Sequence, residues 1–240
     1  MAVDLDLREK GAVRNGERLI SDGRLFMQLL AFGGCTDPAA LIKTLAGADF
    51  ESVLYEDIHD PRGVALLTWS RDPNFFVGPL RKFLLAPPFG ALSSKLEYSM
   101  LGRTYAIGHE PDLEAWLFEK PRLTVLNPDW PWAVWYPLRR AGAFSALAPE
   151  EQGPLLSEHG KIGHAFGEAG YAHDVRLACF GLDRNDSDFV IGLTGGELHA
   201  LSACVQAMRR TQQTSRFIET MGPFFVGKAV WQSLTGTKAP

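Results

Sequence analysis

Twice along this chain, a strand, a helix, a pair of strands, a second helix and a closing strand follow one another in the same order. In the first half, residues 24–32 (RLFMQLLAF) read as a strand and GGCTDP as a turn. PAALIKTLAG reads as a short helix with Asp37 as its N-cap. ESVLYEDI and GVALLTWS read as an antiparallel pair joined by HDPRG. A helical segment over 74–85 is stopped by Pro87 and Pro88, and 96–107 is strand-like, while DLEAWLFE is ambiguous. In the second half, WAVWYP is a strand, and 149–166 is helical, opened by Pro149 with Glu150 and Glu151 at the positive end of its dipole. VRLACFGL and DFVIGLT alternate as strands on either side of DRNDS, 197–215 is a helix, and PFFVGKAV closes the chain.

This order is the ferredoxin-like one. It predicts an α+β fold of two fused ferredoxin-like halves with antiparallel sheets, of the dimeric α/β-barrel type. The halves span 21–125 and 126–235, after a polar, flexible segment at 1–20. The string FFVG occurs at 75–78 and again at 224–227, as an echo of duplication would. Halves of this kind either set their sheets face to face or curl them into one barrel. Either way a pocket forms between sheet and helices, wide enough for a flat apolar cofactor.

Composition removes several classes of function. A net charge of −4 with scattered Lys and Arg gives no electrostatic reason for nucleic acid as a partner. No apolar stretch reaches the roughly 20 residues of a membrane span, and the charged N-terminus has no leader-like core, so a soluble cytoplasmic protein is expected. Cys35, Cys179 and Cys204 are odd in number and far apart, and they suggest neither a disulfide framework nor a thiolate zinc site. There is no HExxH, no GxSxG and no GxGxxG.

Of six histidines, His159 lies on the second-half helix, in LLSEHGKIGHAF. His164, five residues on, points about 140° away around a regular helix, so only one of the two can face a pocket. A single neutral imidazole facing an apolar cavity is what haem iron requires. A hydrogen-bonded or exposed histidine is the ordinary alternative. Arg122, Arg139 and Arg140 flank apolar strand residues, where an arginine makes a rim salt bridge or holds a carboxylate such as a porphyrin propionate. Trp130, Trp132, Trp135 and Tyr136 crowd one strand, as core or as the wall of a macrocycle.

Six short strings share an order and spacing with one family. They are LGRTY at 101–105, KPRLT at 120–124, YPLRR at 136–140, SEHG at 157–160, GLD at 181–183 and GPFFVG at 222–227. Over roughly 100–230 the chain resembles the haem-binding chlorite dismutase superfamily, and most of all its coproheme decarboxylase branch. The resemblance implies a haem b or iron-coproporphyrin cofactor on His159. It implies Arg122 and Arg140 on propionates, and Tyr105 and Phe144 in the pocket wall. Phe144 stands where many members have Trp, and Arg140 where they have Lys. Tyr136 falls on the tyrosine that relays an oxidising equivalent from the peroxide-treated iron to a propionate, which leaves as carbon dioxide. The implied product is haem b.

Two departures stand out. Counting back from Gly181, the distal arginine or glutamine of the family lands on Asp174, with Ala172 and His173 as neighbours that could take the place. An aspartate there would repel an oxychlorine anion. The last helix, RRTQQTS, offers no acid to the proximal histidine. Both changes argue against chlorite turnover. A peroxidase-like or chlorite-converting enzyme with an atypical distal side, in which Asp174 or His173 acts as base towards hydrogen peroxide or another small oxidant, is a second expectation. A non-catalytic haem carrier or sensor is a third. The family also implies a homo-oligomer, commonly a pentamer.

Overall fold

The computed structural model describes residues 5–234. A hairpin comes first, β1 (Glu9–Arg14) and β2 (Glu17–Ser21). Asn15 and Gly16 turn it with φ of 50° and 84°, the positive values a two-residue hairpin loop needs. Residues 9–20 are therefore ordered, which corrects the flexible segment expected at 1–20. Residues 1–4 lie outside the described part.

The first half then runs β3 (Phe26–Gly33), α1 (Pro38–Ala46), β4 (Ser52–Asp57), β5 (Val64–Ser70), α2 (Asn74–Val77), α3 (Pro79–Leu85) and β6 (Ser93–Arg103). The Asp37 carboxylate caps α1 by accepting from the Ala39 N–H at 2.9 Å. A wide turn of helix at 115–119 continues into α4 (Lys120–Leu126), so the ambiguous DLEAWLFE and the KPRLT string are both helical. The second half runs β7 (Trp132–Arg140), α5 (Gly142–Ser145), α6 (Pro149–Glu168), β8 (His173–Ala178), β9 (Phe189–Gly195), α7 (Leu198–Arg209), α8 (Gln212–Phe217), β10 (Ile218–Met221) and β11 (Phe225–Gln232). The single helix expected over 197–215 is two, divided at Thr211, whose side chain caps the second. FFVG is helix α2 on its first occurrence and strand β11 on its second, so it does not mark equivalent places.

The sheets curl into one barrel. Strand order is β7-β11-β4-β5-β3-β6-β8-β9, and β9 pairs back onto β7 from Trp132↔Gly195 to Leu138↔Phe189, with β10 added beyond β7. Every pairing is antiparallel. The pleat sends alternate side chains inward and outward. On β7, Ala133 and Trp135 point into the barrel, where they pack with Tyr55, Leu67, Trp69 and Phe225. Val134 and Tyr136 point outward, into a layer closed by α6 and α7. The matching outer layer on the first half is closed by α1 to α3 around Leu41, Leu45, Leu66, Phe75 and Leu80. Among the described residues, no helix is long and apolar enough to cross a membrane.

Candidate functional site

The second-half outer layer holds most of the candidate residues, and the strand period decides which of them. Tyr136, Leu138 and Arg140 share the outward row of β7 with Val134. On β8, Asp174 stands opposite Leu193 and Arg176 opposite Ile191, both partners belonging to the same outer layer. His173 is turned aside, its ring stacked flat on Trp130 at 3.4 Å and 13°. Of the three residues near the family's distal position, Ala172 and Asp174 both face this layer, and Asp174 is the polar one. Arg176, two residues on and on the same row, is a site residue that no string in the sequence marks. Its guanidinium meets the Asp174 carboxylate at 2.7 Å.

α6 faces this sheet with Leu155, His159, Ile162 and Phe166, which the helical period places on one side. The helix begins with the Glu151 carboxylate accepting from the Ala148 N–H at 3.0 Å. The His159 Nδ1 lies 3.2 Å from Thr211 Oγ1 and 3.4 Å from Thr214 Oγ1. The Thr211 hydroxyl donates to the Met208 carbonyl at 2.8 Å. A hydroxyl has one proton to give. With its proton on the Met208 carbonyl, Thr211 Oγ1 is an acceptor for the tautomer of His159 that carries its proton on Nδ1 and its lone pair on Nε2. That is the tautomer a metal ligand needs. Burial, with Arg140 and Arg176 adding to it, holds the His159 pKa below its ordinary value and keeps the ring neutral. RRTQQTS holds no acid, but its threonines give the histidine neutral acceptors in place of a carboxylate.

Arg140 lies between two rings, 4.4 Å from the centroid of Phe144 and 4.9 Å from that of Phe189. Its Nε is buried with no hydrogen-bond partner, and no carboxylate of the described residues lies within ion-pair distance of its guanidinium. Only its backbone N–H is engaged, donating to Asp188 at 2.7 Å. An unpartnered cation among aromatic rings is a seat for an anion from outside the chain. Tyr105 packs on Phe189 at 5.8 Å, within the field of Arg176 and Arg140, and burial raises its pKa. Tyr136 is stacked on Phe224 at 4.5 Å, and burial likewise pushes its phenol pKa up.

Arg122 is a correction. It sits on α4, not on a strand, and its fork closes on Glu51, with Nη2–Oε1 at 2.6 Å and a second contact from Nε to Oε2. Glu51 is 1% exposed and also accepts from the Trp69 indole at 3.2 Å. That partnership turns two of the guanidinium's nitrogens toward the barrel core side, where Glu51 already supplies the carboxylate. Arg139, on the opposite row of β7 from Arg140, makes an exposed ion pair with Asp186 at 2.9 Å.

The donor set therefore fits a haem-type group: one imidazole with Nε2 free, one unpaired arginine and an aromatic wall. Among the described residues no group of three or more His, Cys, Asp or Glu is placed to hold a bare metal ion. The cavity at Tyr105, Trp116, Lys120, Asp174 and Arg176 is about 20 Å³, room for one water. A macrocycle needs about 300 Å³ or more. α6, which covers the neighbouring part of this sheet face, has no fully buried residue among its 20.

Comparison with known proteins bears on the fold. Residues 114–230 match the family model described as chlorite dismutase, a stretch that includes every site residue above except Tyr105. The chlorite dismutase of Candidatus Nitrospira defluvii, solved in complex with imidazole, superposes with a TM-score of 0.66 at 17% identity, over 87% of this chain and 92% of that one. A haem-binding protein from Thermus thermophilus superposes with a TM-score of 0.64 at 19% identity, over 86% and 91%. No curated protein matches the sequence. The fold is that of the chlorite dismutase-like proteins, and the second half carries their sequence pattern.

Proposed function

We propose that this chain binds an iron porphyrin between α6 and the outer face of β7–β9–β8, where His159 Nε2 would hold the iron, and that it decarboxylates propionates of coproheme at the expense of peroxide. The observation that carries the binding is the His159–Thr211–Met208 chain of hydrogen bonds, which aims a neutral lone pair at the layer where Arg140 has no anion. When bound, the group supplies redox chemistry with peroxide.

The chain's own residues do the rest. Arg140 holds a carboxylate and keeps it ionised. The Asp174 carboxylate, held by Arg176 Nε, is a base able to take a proton from peroxide. Tyr136 is two steps along the outward row from Arg140, and its raised pKa keeps the proton on the phenol oxygen, the form from which a hydrogen atom can be drawn. The loss of Arg122 from the expected cradle leaves positioning to Arg140 and Tyr105.

The test is to add coproheme, record the visible spectrum, then titrate peroxide and follow the porphyrin by mass. Stepwise loss of two carbon dioxide units, a Soret shift that His159→Ala removes, and a Tyr136→Phe variant that binds without turnover are expected. Binding with no mass loss would leave a carrier or another peroxidase-like role. Unchanged turnover in Tyr136→Phe would refute the tyrosine's part.

A further inference from the structure

Among the described residues, the hairpin β1–β2 forms a two-stranded sheet of its own, outside the barrel. What it holds is the stretch after β6. Residues 104–110 have no regular structure, and they carry Tyr105. Thr104 is locked to Leu25 twice. Its N–H donates to the Leu25 carbonyl and its hydroxyl accepts from the Leu25 N–H, both at 2.9 Å. The N–H groups of the four residues after Tyr105 all donate to carboxylates. Ala106 donates to Glu9 Oε2 at 2.9 Å. Ile107, Gly108 and His109 donate to Glu110 at 2.7, 3.0 and 3.0 Å. Gly108 permits the turn with a φ of 93°.

Glu9 opens β1. Its other oxygen accepts from Arg103 at 3.0 Å and from Arg24 at 3.4 Å, so three segments of the chain meet on one side chain. Glu110, 3% exposed, is pinned to the hairpin in turn, since its carbonyl accepts from the Ala12 N–H at 3.0 Å. β1 comes this close because residue 11 is glycine, where a Cβ would meet the Glu110 carbonyl at 3.1 Å. A surface loop ordinarily leaves its N–H groups to water. Here two largely buried carboxylates take them, and a carboxylate acceptor makes each bond stronger than a neutral one. On the other side, the Trp116 indole donates to the Tyr105 carbonyl at 3.0 Å. The Tyr105 ring is left against Phe189, beside Arg140.

We infer that the N-terminal hairpin is a brace of the porphyrin site. Glu9, with Glu110, is a positioning residue that holds 104–109 so that the Tyr105 ring stands against Phe189 before a ligand arrives. Binding then has little loop ordering to overcome. This rests on the porphyrin reading above. It brings into the site a segment that lies before the matched stretch 114–230 and outside both ferredoxin-like halves.

The experiment reads amide exchange and Soret titration of coproheme together, in the wild-type chain, Glu9→Ala, Glu9→Gln, Tyr105→Ala and the double variant Glu9→Ala/Tyr105→Ala. Glu9→Ala should speed exchange at Ala106 and its neighbours while β3 and β5 stay protected. It is expected to weaken coproheme about fivefold and Tyr105→Ala about tenfold, with the double variant no weaker than Tyr105→Ala alone, because a brace acts only through what it holds. Glu9→Gln, whose amide oxygen still accepts from Ala106, should bind within about twofold of wild type. Losses that multiply to about fiftyfold in the double variant would make Glu9 a support of the fold at large and overturn the brace. So would full affinity in Glu9→Ala with Ala106 exchanging freely. No spectral change in the wild-type chain overturns the porphyrin reading and the brace together.

Discussion

On the first half of the barrel, the 9-residue α1 seals its strands with Leu41 and Leu45, 1% and 2% exposed. On the second half, no residue of the 20-residue α6 is fully buried, and His159, Ile162 and Phe166 are half-buried. α1 is a short amphipathic helix with a capped start and one wide apolar stripe. α6 carries Gly153, Gly160, Gly163 and Gly167, and Pro154 removes an amide donor from its second turn. Each glycine costs a helix about 1 kcal/mol relative to alanine. A helix so poor in propensity and in burial draws little stability from its own sequence. The same order of elements has produced one layer built for packing and another built to be completed by a guest.

Three measurements test how deep that contrast runs. The largest effect is expected from matched truncations. Leu41→Ala should cost about 2–5 kcal/mol in urea unfolding, and Leu155→Ala on α6 about 1 kcal/mol or less, because only the first opens a cavity. Equal costs would mean that both layers are packed alike. Next comes ligand. At a hundredfold excess over its dissociation constant, haem b should add about 2.7 kcal/mol of stability. Amide exchange should slow along α6 and stay unchanged along α1, and protection spread equally over both would remove the guest from the second layer. The smallest is Gly160→Ala, at a glycine whose added methyl meets nothing within 4 Å. It should raise stability by about 0.5–1 kcal/mol. A loss there would show that α6 needs its glycine.

β8 and β9 are legible from their alternation, whereas β5, buried along its whole length, reads as a continuous apolar run of a strand covered on both faces. The barrel follows from the doubled order, although closure through β7–β9 rests on pairing that no local pattern encodes. Asn15-Gly16 is a hairpin signal in plain sight, hidden by the polarity of its surroundings. His159 is legible from its string and its helical face. Arg122 is not, because its partner, Glu51, is 71 positions away and only the fold brings them together. Arg176 is hidden for a different reason: it lies two residues past Asp174 on the same outward row, where no string marks it. Thr211 goes unseen as long as an acid is sought where a hydroxyl suffices.

The barrel's two seams are unequal. β11 and β4 join the halves through five paired positions, from Gly227↔Asp57 to Gln232↔Val53, whereas β6 and β8 share a single pair, Arg103↔Ala178. Gly102 sits at the thin seam because a side chain there would strike Leu177 at 2.7 Å. Mechanically this is a book with a stitched spine and one fastening. Thermal opening starts where the fewest bonds must part, so the covers swing at β6–β8. Tyr105 follows one cover's edge and Arg176 lies on the other, so a ligand gripped by both would clasp the book shut.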